Sequence, residues 1–307
     1  MEPVISVDGL RRSYGDVVAV EDVSFEVARG EIFGILGPNG AGKTTTVECL
    51  QGLRSRDGGA VTVLGLDPGR HPDRLRRHIG SQLQSAALPD RMRVGEAVSF
   101  FARAQGRRVD VADVLDEWDL TPLRRRAFGT LSGGQRQRLF LALALLGDPE
   151  VVFLDELTAA LDPVARRATW RLVRRVRDSG ATIVLVTHFM EEAEGLCDRV
   201  VIVDQGRVVA LDTPAALTAR SEGATTRVSF SSNGHDLGFL ETLEGVRSVA
   251  LGRRSVDVSG ASQIAVRVAA ALAERGIVPF DYRTHHPTLE DVFLAQTGRH
   301  LDQKDQP

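Results

Sequence analysis

The stretch "EIFGILGPNGAGKTTTVECL", residues 31–50, decides the fold. Apolar "EIFGIL" runs directly into "GPNGAGKTT" at 37–45, which fits G-x-x-x-x-G-K-[ST] with Gly37, Gly42, Lys43 and Thr44. A buried strand, a glycine-rich loop and a helix start, in that order, form a phosphate cradle. The glycines let backbone N–H groups curl around phosphate oxygens, and the helix N-terminus adds its positive end. The loop residues Pro38, Asn39, Gly40, Ala41 and Thr45 complete the cradle. Lys43 is placed to reach the β- and γ-phosphates, the Thr44 hydroxyl to ligate Mg²⁺, and a helix is predicted over 43–52.

Composition singles out the same lysine. Of 38 Lys and Arg residues only Lys43 and Lys304 are lysines. Arginine replaces lysine on a solvated surface, but not where a compact ammonium must sit at the end of a flexible stem. With 307 residues and 43% hydrophobic content, the chain has room for one large domain and a small one. A net charge of -3 offers no general basic field for nucleic acid, and Arg124 to Arg126 read as solvated surface. Cys49 and Cys197 lack CxxC spacing and read as reduced packing residues. His285 and His286 have no further spaced ligands to make a metal site. The N-terminus has no secretory signal pattern, and "LFLALALL" at 139–146 is far short of the ~18–20 residues that span a bilayer. The expectation is a soluble chain whose membrane role, if any, needs a partner.

Outward from the cradle, short strands and turns fill 4–35, and "AVTVLG", an arginine-rich helix and "HIGSQLQ" follow. From about 92 to 146 the pattern is mainly helical, an insert within an α/β domain. The apolar strands "EVVFLD" at 150–155 and "ATIVLVTH" at 181–188 return to a buried parallel sheet, flanking a helix over 163–178. The stretch 213–224 has linker-like composition. Beyond it the order is strand, helix, strand, strand, helix, strand, with Ile264, Val268 and Leu272 at i, i+4, i+8, then a closing helix in "PTLEDVFLAQTG". The expected boundaries are 1–220 for the first domain with its helical part at about 85–148, 221–300 for an α+β accessory domain, and 301–307 for a flexible tail. No repeat of the first domain is visible, so there is one nucleotide cassette.

Further residues fit phosphate chemistry. "VVFLDE" at 151–156 ends a buried strand in two adjacent carboxylates, which are costly to desolvate unless paired or metal-bound. Asp155 reads as a Mg²⁺ ligand, direct or one step removed, and Glu156 as the base that orients water; helix capping is the alternative. His188 at a strand end could sense the γ-phosphate or simply pack. Gln84 could touch metal or water, with Gln82 as its competitor, and Tyr14 could stack on adenine or belong to the core. "LSGGQ" at 131–135 puts two glycines before an apolar helix, at roughly 1 kcal/mol each relative to alanine. Alone it reads equally as a loop.

Together these segments resemble the nucleotide-binding subunit of ATP-binding cassette (ABC) transporters over about residues 4–220. The order Tyr14, 37–45, Gln84, "LSGGQ", "VVFLDE", "LDP" at 161–163 and His188 carries the resemblance. It implies a P-loop cassette with a RecA-like core and helical subdomain, binding ATP and Mg²⁺, the metal through Thr44, Gln84 and Asp155. It also implies that Ser132, Gly133, Gly134 and Gln135, with Asp162, complete the ATP site of a second copy in a head-to-tail dimer. A helix N-terminus without lysine suits a phosphate already held by another chain's Lys43.

"THFMEEAEGLCDRVVIVDQGRVVA" and the "PTLEDVFLAQTGR" tail are similar to daunorubicin-resistance ATPase subunits, which work with a separate type-2 permease. That likeness implies a peripheral ATPase at the cytoplasmic face of the membrane that powers drug efflux, with no nucleic-acid partner and with a ferredoxin-like C-terminal module. "PTLEDVFL" then either docks or regulates the assembly, or packs on its own domain. Lipid or polysaccharide export, a ribosome- or DNA-directed ABC ATPase, and a regulatory nucleotide switch are the other readings. One stretch departs from the family's "DEPTSGLDP": here it is "DELTAALDP", with Leu157, Ala159 and Ala160. Ala160 enters φ > 0 less cheaply than glycine, which puts cross-dimer communication in doubt more than ATP binding.

Overall fold

The computed structural model describes residues 2–82, 87–158, 161–220, 225–232, 236–252, 255–261 and 263–297. Gln84, Ala159, Ala160 and the segment 301–307 lie outside the described residues. The chain divides into a first unit ending at Pro214 and a second running from Ala215 to His300.

In the first unit, β1 (Ile5–Tyr14) and β2 (Val17–Val27) form an antiparallel hairpin, with Ile5, Val7, Leu10, Val20, Val23, Phe25 and Val27 buried. All five residues of β3 (Ile32–Leu36) are buried, as a strand covered on both faces requires. It feeds the glycine loop and α1 (Lys43–Leu50), after which β4 (Gly58–Val63) pairs with β1. The arginine-rich helix expected next is a single turn, α2 (Pro72–Leu75), with Leu75 its one buried residue. Without a second apolar position there is no face to dock, and an isolated turn does not propagate. The strand β5 (Ile79–Gln82) follows.

The helical insert comprises α3 (Val94–Ala104), α4 (Val111–Glu117) and α5 (Gly133–Ala144). Phe128 meets Phe140 of α5 edge-on, ring centroids 5.5 Å apart. The chain then returns through β6 (Val151–Asp155), α6 (Pro163–Asp178), β7 (Thr182–Thr187), α7 (Met190–Leu196), β8 (Arg199–Asp204) and β9 (Arg207–Asp212). Among the described residues nine strands make one sheet, in the order β4-β1-β2-β9-β8-β3-β7-β6-β5. Strands β8, β3, β7, β6 and β5 run parallel to one another, and β9 pairs antiparallel with β8. The loops leaving β3, β6 and β7 therefore share one end of the sheet, where the residues predicted to carry chemistry lie. Ligands of open α/β sheets gather at that carboxyl end.

The second unit opens with α8 (Pro214–Arg220, its first residue the last of the preceding unit). It continues with β10 (Thr226–Ser231), a 3₁₀ turn over Gly238–Thr242, β11 (Val246–Leu251), β12 (Ser255–Gly260), α9 (Ile264–Glu274), β13 (Phe280–His285) and α10 (Leu289–Thr297). Its four-stranded antiparallel sheet has the order β11-β12-β10-β13. Counted within the unit this is 2-3-1-4, the order of a ferredoxin-like split βαβ sheet. The 3₁₀ turn stands where the first crossover helix is expected. Ile264, Val268 and Leu272 of α9 join Val228, Phe230 and Val258 in a separate core, so the i, i+4, i+8 stripe faces inward as read from sequence.

Candidate functional site

The phosphate loop is shaped by its glycines. Gly37, Gly40 and Gly42 have φ of 150°, 82° and 96°. A Cβ on Gly42 would press into the Ala19 carbonyl oxygen, and one on Gly37 into that of Val203. Both positions must be glycine because the loop lies tightly against neighbouring strands. Lys43 opens α1 and is buried, its Nζ donating to the carbonyls of Gly37 and Pro38 at 2.8 Å each. Burial pulls its ammonium below the usual lysine value, against the attraction of Glu156 and Asp155. Thr44 is exposed and Thr45 half-buried in the first turn. Gly42 supplies no side-chain cap to that turn.

The carboxylates stand at the end of β6. Asp155 is buried, and burial raises its carboxyl to about 6; Glu156 adds to the rise and Lys43 opposes it. Glu156 has φ 49° and is tethered by its N–H to the Val186 carbonyl at 2.9 Å. A non-glycine residue in the left-handed region costs roughly 1–3 kcal/mol and persists where its surroundings hold it. His188, just past β7, sits with Nδ1 3.1 Å from Glu156 Oε1. The two parallel strands thus deliver a carboxylate and an imidazole into hydrogen-bonding contact.

A stability measurement isolates Asp155. Its folded pKa lies above the unfolded value near 4, so the folded chain holds a proton that the unfolded chain releases between pH ~4 and ~6. The stability contributed by this group falls as pH rises through that window and stays low at pH 7. Asp155→Asn should raise the stability of the nucleotide-free protein at pH 7.5 by about 1–3 kcal/mol and give no gain at pH 4. Calorimetry at both pH values checks this; an equal effect at the two would show that the carboxyl is not the cause.

The other predicted residues are placed as follows. Ser132 is the N-cap of α5 in a capping box, its backbone N–H donating to Gln135 Oε1 at 3.0 Å and its Oγ accepting from the Gln135 N–H at 3.4 Å. Ser132 and Gly133 are exposed and Gly134 half-buried, so "LSGGQ" is a capped helix start rather than a loop. Asp162 caps α6, accepting from the N–H groups of Val164 and Ala165 at 2.9 Å. Tyr14 is 37% exposed rather than a core residue, with the guanidiniums of Arg12 and Arg54 at 5.0 and 5.4 Å from its ring. Gln82, the competitor to Gln84, is buried, its Oε1 accepting from Gln137 Nε2 of α5 at 2.8 Å. Gln137 had no motif to announce it. The cysteines are free and buried; burial pushes the Cys49 thiol up to about 11 and raises the Cys197 thiol well above its ordinary range, which leaves both inert.

Comparison with known proteins agrees with this geometry. The ABC transporter family model matches residues 20–159. The daunorubicin resistance ATP-binding protein DrrA3 of Streptomyces coeruleorubidus is 39% identical, over 97% of this chain and 96% of its own length. The chain belongs to the ATP-binding subunits of ABC transporters. The Nod factor export ATP-binding protein I of Ralstonia nicotianae is 37% identical over 97% of this chain and 95% of its own. A solved ATP-binding subunit of an ABC transporter covers 70% of this chain and 91% of its own, with a TM-score of 0.62 and 30% identity. An ABC cassette in its ADP conformation superposes with a TM-score of 0.63 at 20% identity, covering 69% of this chain and 92% of its own, a likeness of fold. This ABC subunit is therefore a nucleotide-binding ATPase of a class that dimerises and works with membrane permeases. Among its described residues no helix is long and apolar enough to cross a membrane.

Proposed function

We propose that this ABC subunit hydrolyses ATP in a head-to-tail homodimer to power export of a drug through a separate type-2 permease, at the cytoplasmic face of the membrane. The observation that carries the catalytic part is the His188–Glu156 contact at the sheet end that also holds Lys43. In this reading Lys43 exchanges the carbonyls of Gly37 and Pro38 for phosphate oxygens, and the N–H groups of the loop hold the β-phosphate. Tyr14 meets the adenine and Glu156 accepts the proton of the attacking water, held in place by His188. Ser132, Gly133, Gly134 and Gln135 face the γ-phosphate bound by the partner subunit, and Asp162 holds the segment beside them by capping α6. The Thr44 hydroxyl and the Asp155 carboxylate are hard oxygen donors of the kind Mg²⁺ takes, and Gln84 is the third expected donor. Bound there, the ion would neutralise charge building on the phosphates.

The full-length similarity to a daunorubicin resistance protein supports a drug cargo. The similarity to a Nod factor export protein supports a second reading, export of a cargo other than a drug by the same machinery. An apolar cavity of about 460 Å³, lined by Leu53, Ile79, Leu88, Phe101, Phe140 and Leu143, lies where β5 meets the helical insert and would seat a permease segment. Tagged Glu156→Gln protein, pulled from detergent-solubilised membranes with and without ATP, should bring down an integral membrane permease identifiable by mass spectrometry. Recovery of ribosomes or only soluble partners would overturn the exporter reading.

A further inference from the structure

Behind the His188–Glu156 contact stands a second bridge between the same two segments. Glu192, on α7 four residues after His188, is fully buried. Its Oε1 accepts from Thr158 Oγ1 at 2.7 Å and from Trp170 Nε1 of α6 at 3.2 Å. Thr158 is itself fully buried and lies two residues after Glu156. The Glu192 Oε2 atom has no hydrogen-bond partner among the described residues. A carboxylate withdrawn from water with one oxygen unserved is expensive, and an apolar residue would fill the space with less penalty.

The neighbourhood is built around this contact. The Trp170 ring lies so close to Gly195 that a Cβ there would come within 2.8 Å of it. Arg174 donates to the Gly195 carbonyl, and Arg166 pairs with Glu191 at 3.5 Å. These contacts fix α7 on α6 and so fix where the Glu192 carboxylate stands. From there it reaches back to the loop that carries Glu156.

We infer that Glu192 is a positioning residue for ATP hydrolysis: through Thr158 it holds Glu156 in its left-handed backbone conformation, facing His188. Glu156 at φ 49° is strained, and its own N–H bond to Val186 helps to hold it. The Thr158–Glu192 bond anchors the same loop two residues further on. Released from it, residue 156 relaxes toward negative φ and its carboxylate leaves the imidazole. The inference rests on Glu156 acting as the base, which Glu156→Gln tests separately in the same assay.

The experiment compares Thr158→Val, Thr158→Ser and Glu192→Gln for steady-state ATP hydrolysis, ATP affinity and thermal midpoint. Loss of a hydrogen bond to a buried carboxylate predicts a kcat about 10- to 100-fold lower for Thr158→Val, with KM within about twofold. Thr158→Ser restores the hydroxyl and should return kcat to within about threefold of the parent; Glu192→Gln keeps the Oε1 acceptor and should do the same. Trp170 adds a spectroscopic reading in a Trp118→Phe background. Its emission should shift in Glu192→Ala, which removes the indole's acceptor, and hold in Thr158→Val, which leaves it. An unchanged kcat in Thr158→Val overturns the inference. So does a kcat loss that Ser fails to rescue, or one that comes with an equal loss of ATP affinity. If Glu156→Gln leaves turnover intact, the base assignment fails instead.

Discussion

Glu156→Gln will lower ATP turnover by roughly 10²- to 10⁴-fold while leaving ATP affinity within about twofold. Glutamine is the demanding test because so little else changes. It keeps the size of the side chain and an oxygen where Glu156 Oε1 now lies 3.1 Å from His188 Nδ1. It removes the capacity to take a proton. Position 156 keeps a Cβ, so the strain of its positive φ is carried equally by both residues. Electrostatics reinforce the separation of binding from chemistry. Glu156 and Asp155 both attract Lys43, so losing one charge leaves the ammonium still drawn by the other and still free to bind phosphate. Single-turnover phosphate release reports the chemical step, and equilibrium titration with a fluorescent ATP analogue reports binding. A variant that turns over at the parent rate would move the base elsewhere, with His188, in contact with Glu156, the first group to test.

The parts of this site legible in the sequence are those whose chemistry is local. The strand, glycine turn and helix of 32–50 are contiguous, so residue types alone dictate where Lys43 and Thr44 stand. The strand ends at Asp155 and His188 follow from apolar runs long enough to mark buried strands. The first helix after β4 is shorter than its arginines suggested, because helical propensity without an apolar face is not held by packing.

Contacts across the sheet were not legible. Glu192 in "MEEAEG" looks like one more surface acid, and nothing in its neighbours says that it is buried against Thr158, 34 residues away. Gln137 likewise sits in an arginine-flanked turn of helix and meets Gln82 across 55 residues. Such bonds depend on strand order, and a periodicity argument stops at the element. The exposure of Tyr14 was undecidable for the same reason: its environment is made by Arg54, forty residues on.

Two subunits inactivated at different positions will restore activity when mixed. Lys43→Ala removes the only lysine among the described residues and with it the phosphate's main counter-charge; removal of such a contact costs on the order of 10²–10³ in turnover. Ser132→Arg leaves that pocket whole but places a long side chain at the exposed start of α5, where Ser132 now only caps its own helix. Losing the cap costs about 1 kcal/mol, too little to unfold the domain. Among the described residues no hydrogen bond joins 131–135 to 37–45 within one chain, and Ser132 and Gly133 at the helix start are exposed. If each ATP lies between Lys43 of one protomer and Ser132 of its partner, a mixed dimer holds one site with both residues intact and one with neither. Random mixing of equal amounts makes half the dimers mixed, so activity should recover to about one quarter of the parent when each site works independently. If a single chain supplied both residues, every site in the mixture would carry a lesion and no activity would return. Recovery that follows the square of subunit concentration, measured by dilution of the mixture, ties the effect to the dimer and separates it from a contaminating ATPase, whose activity would fall only in proportion.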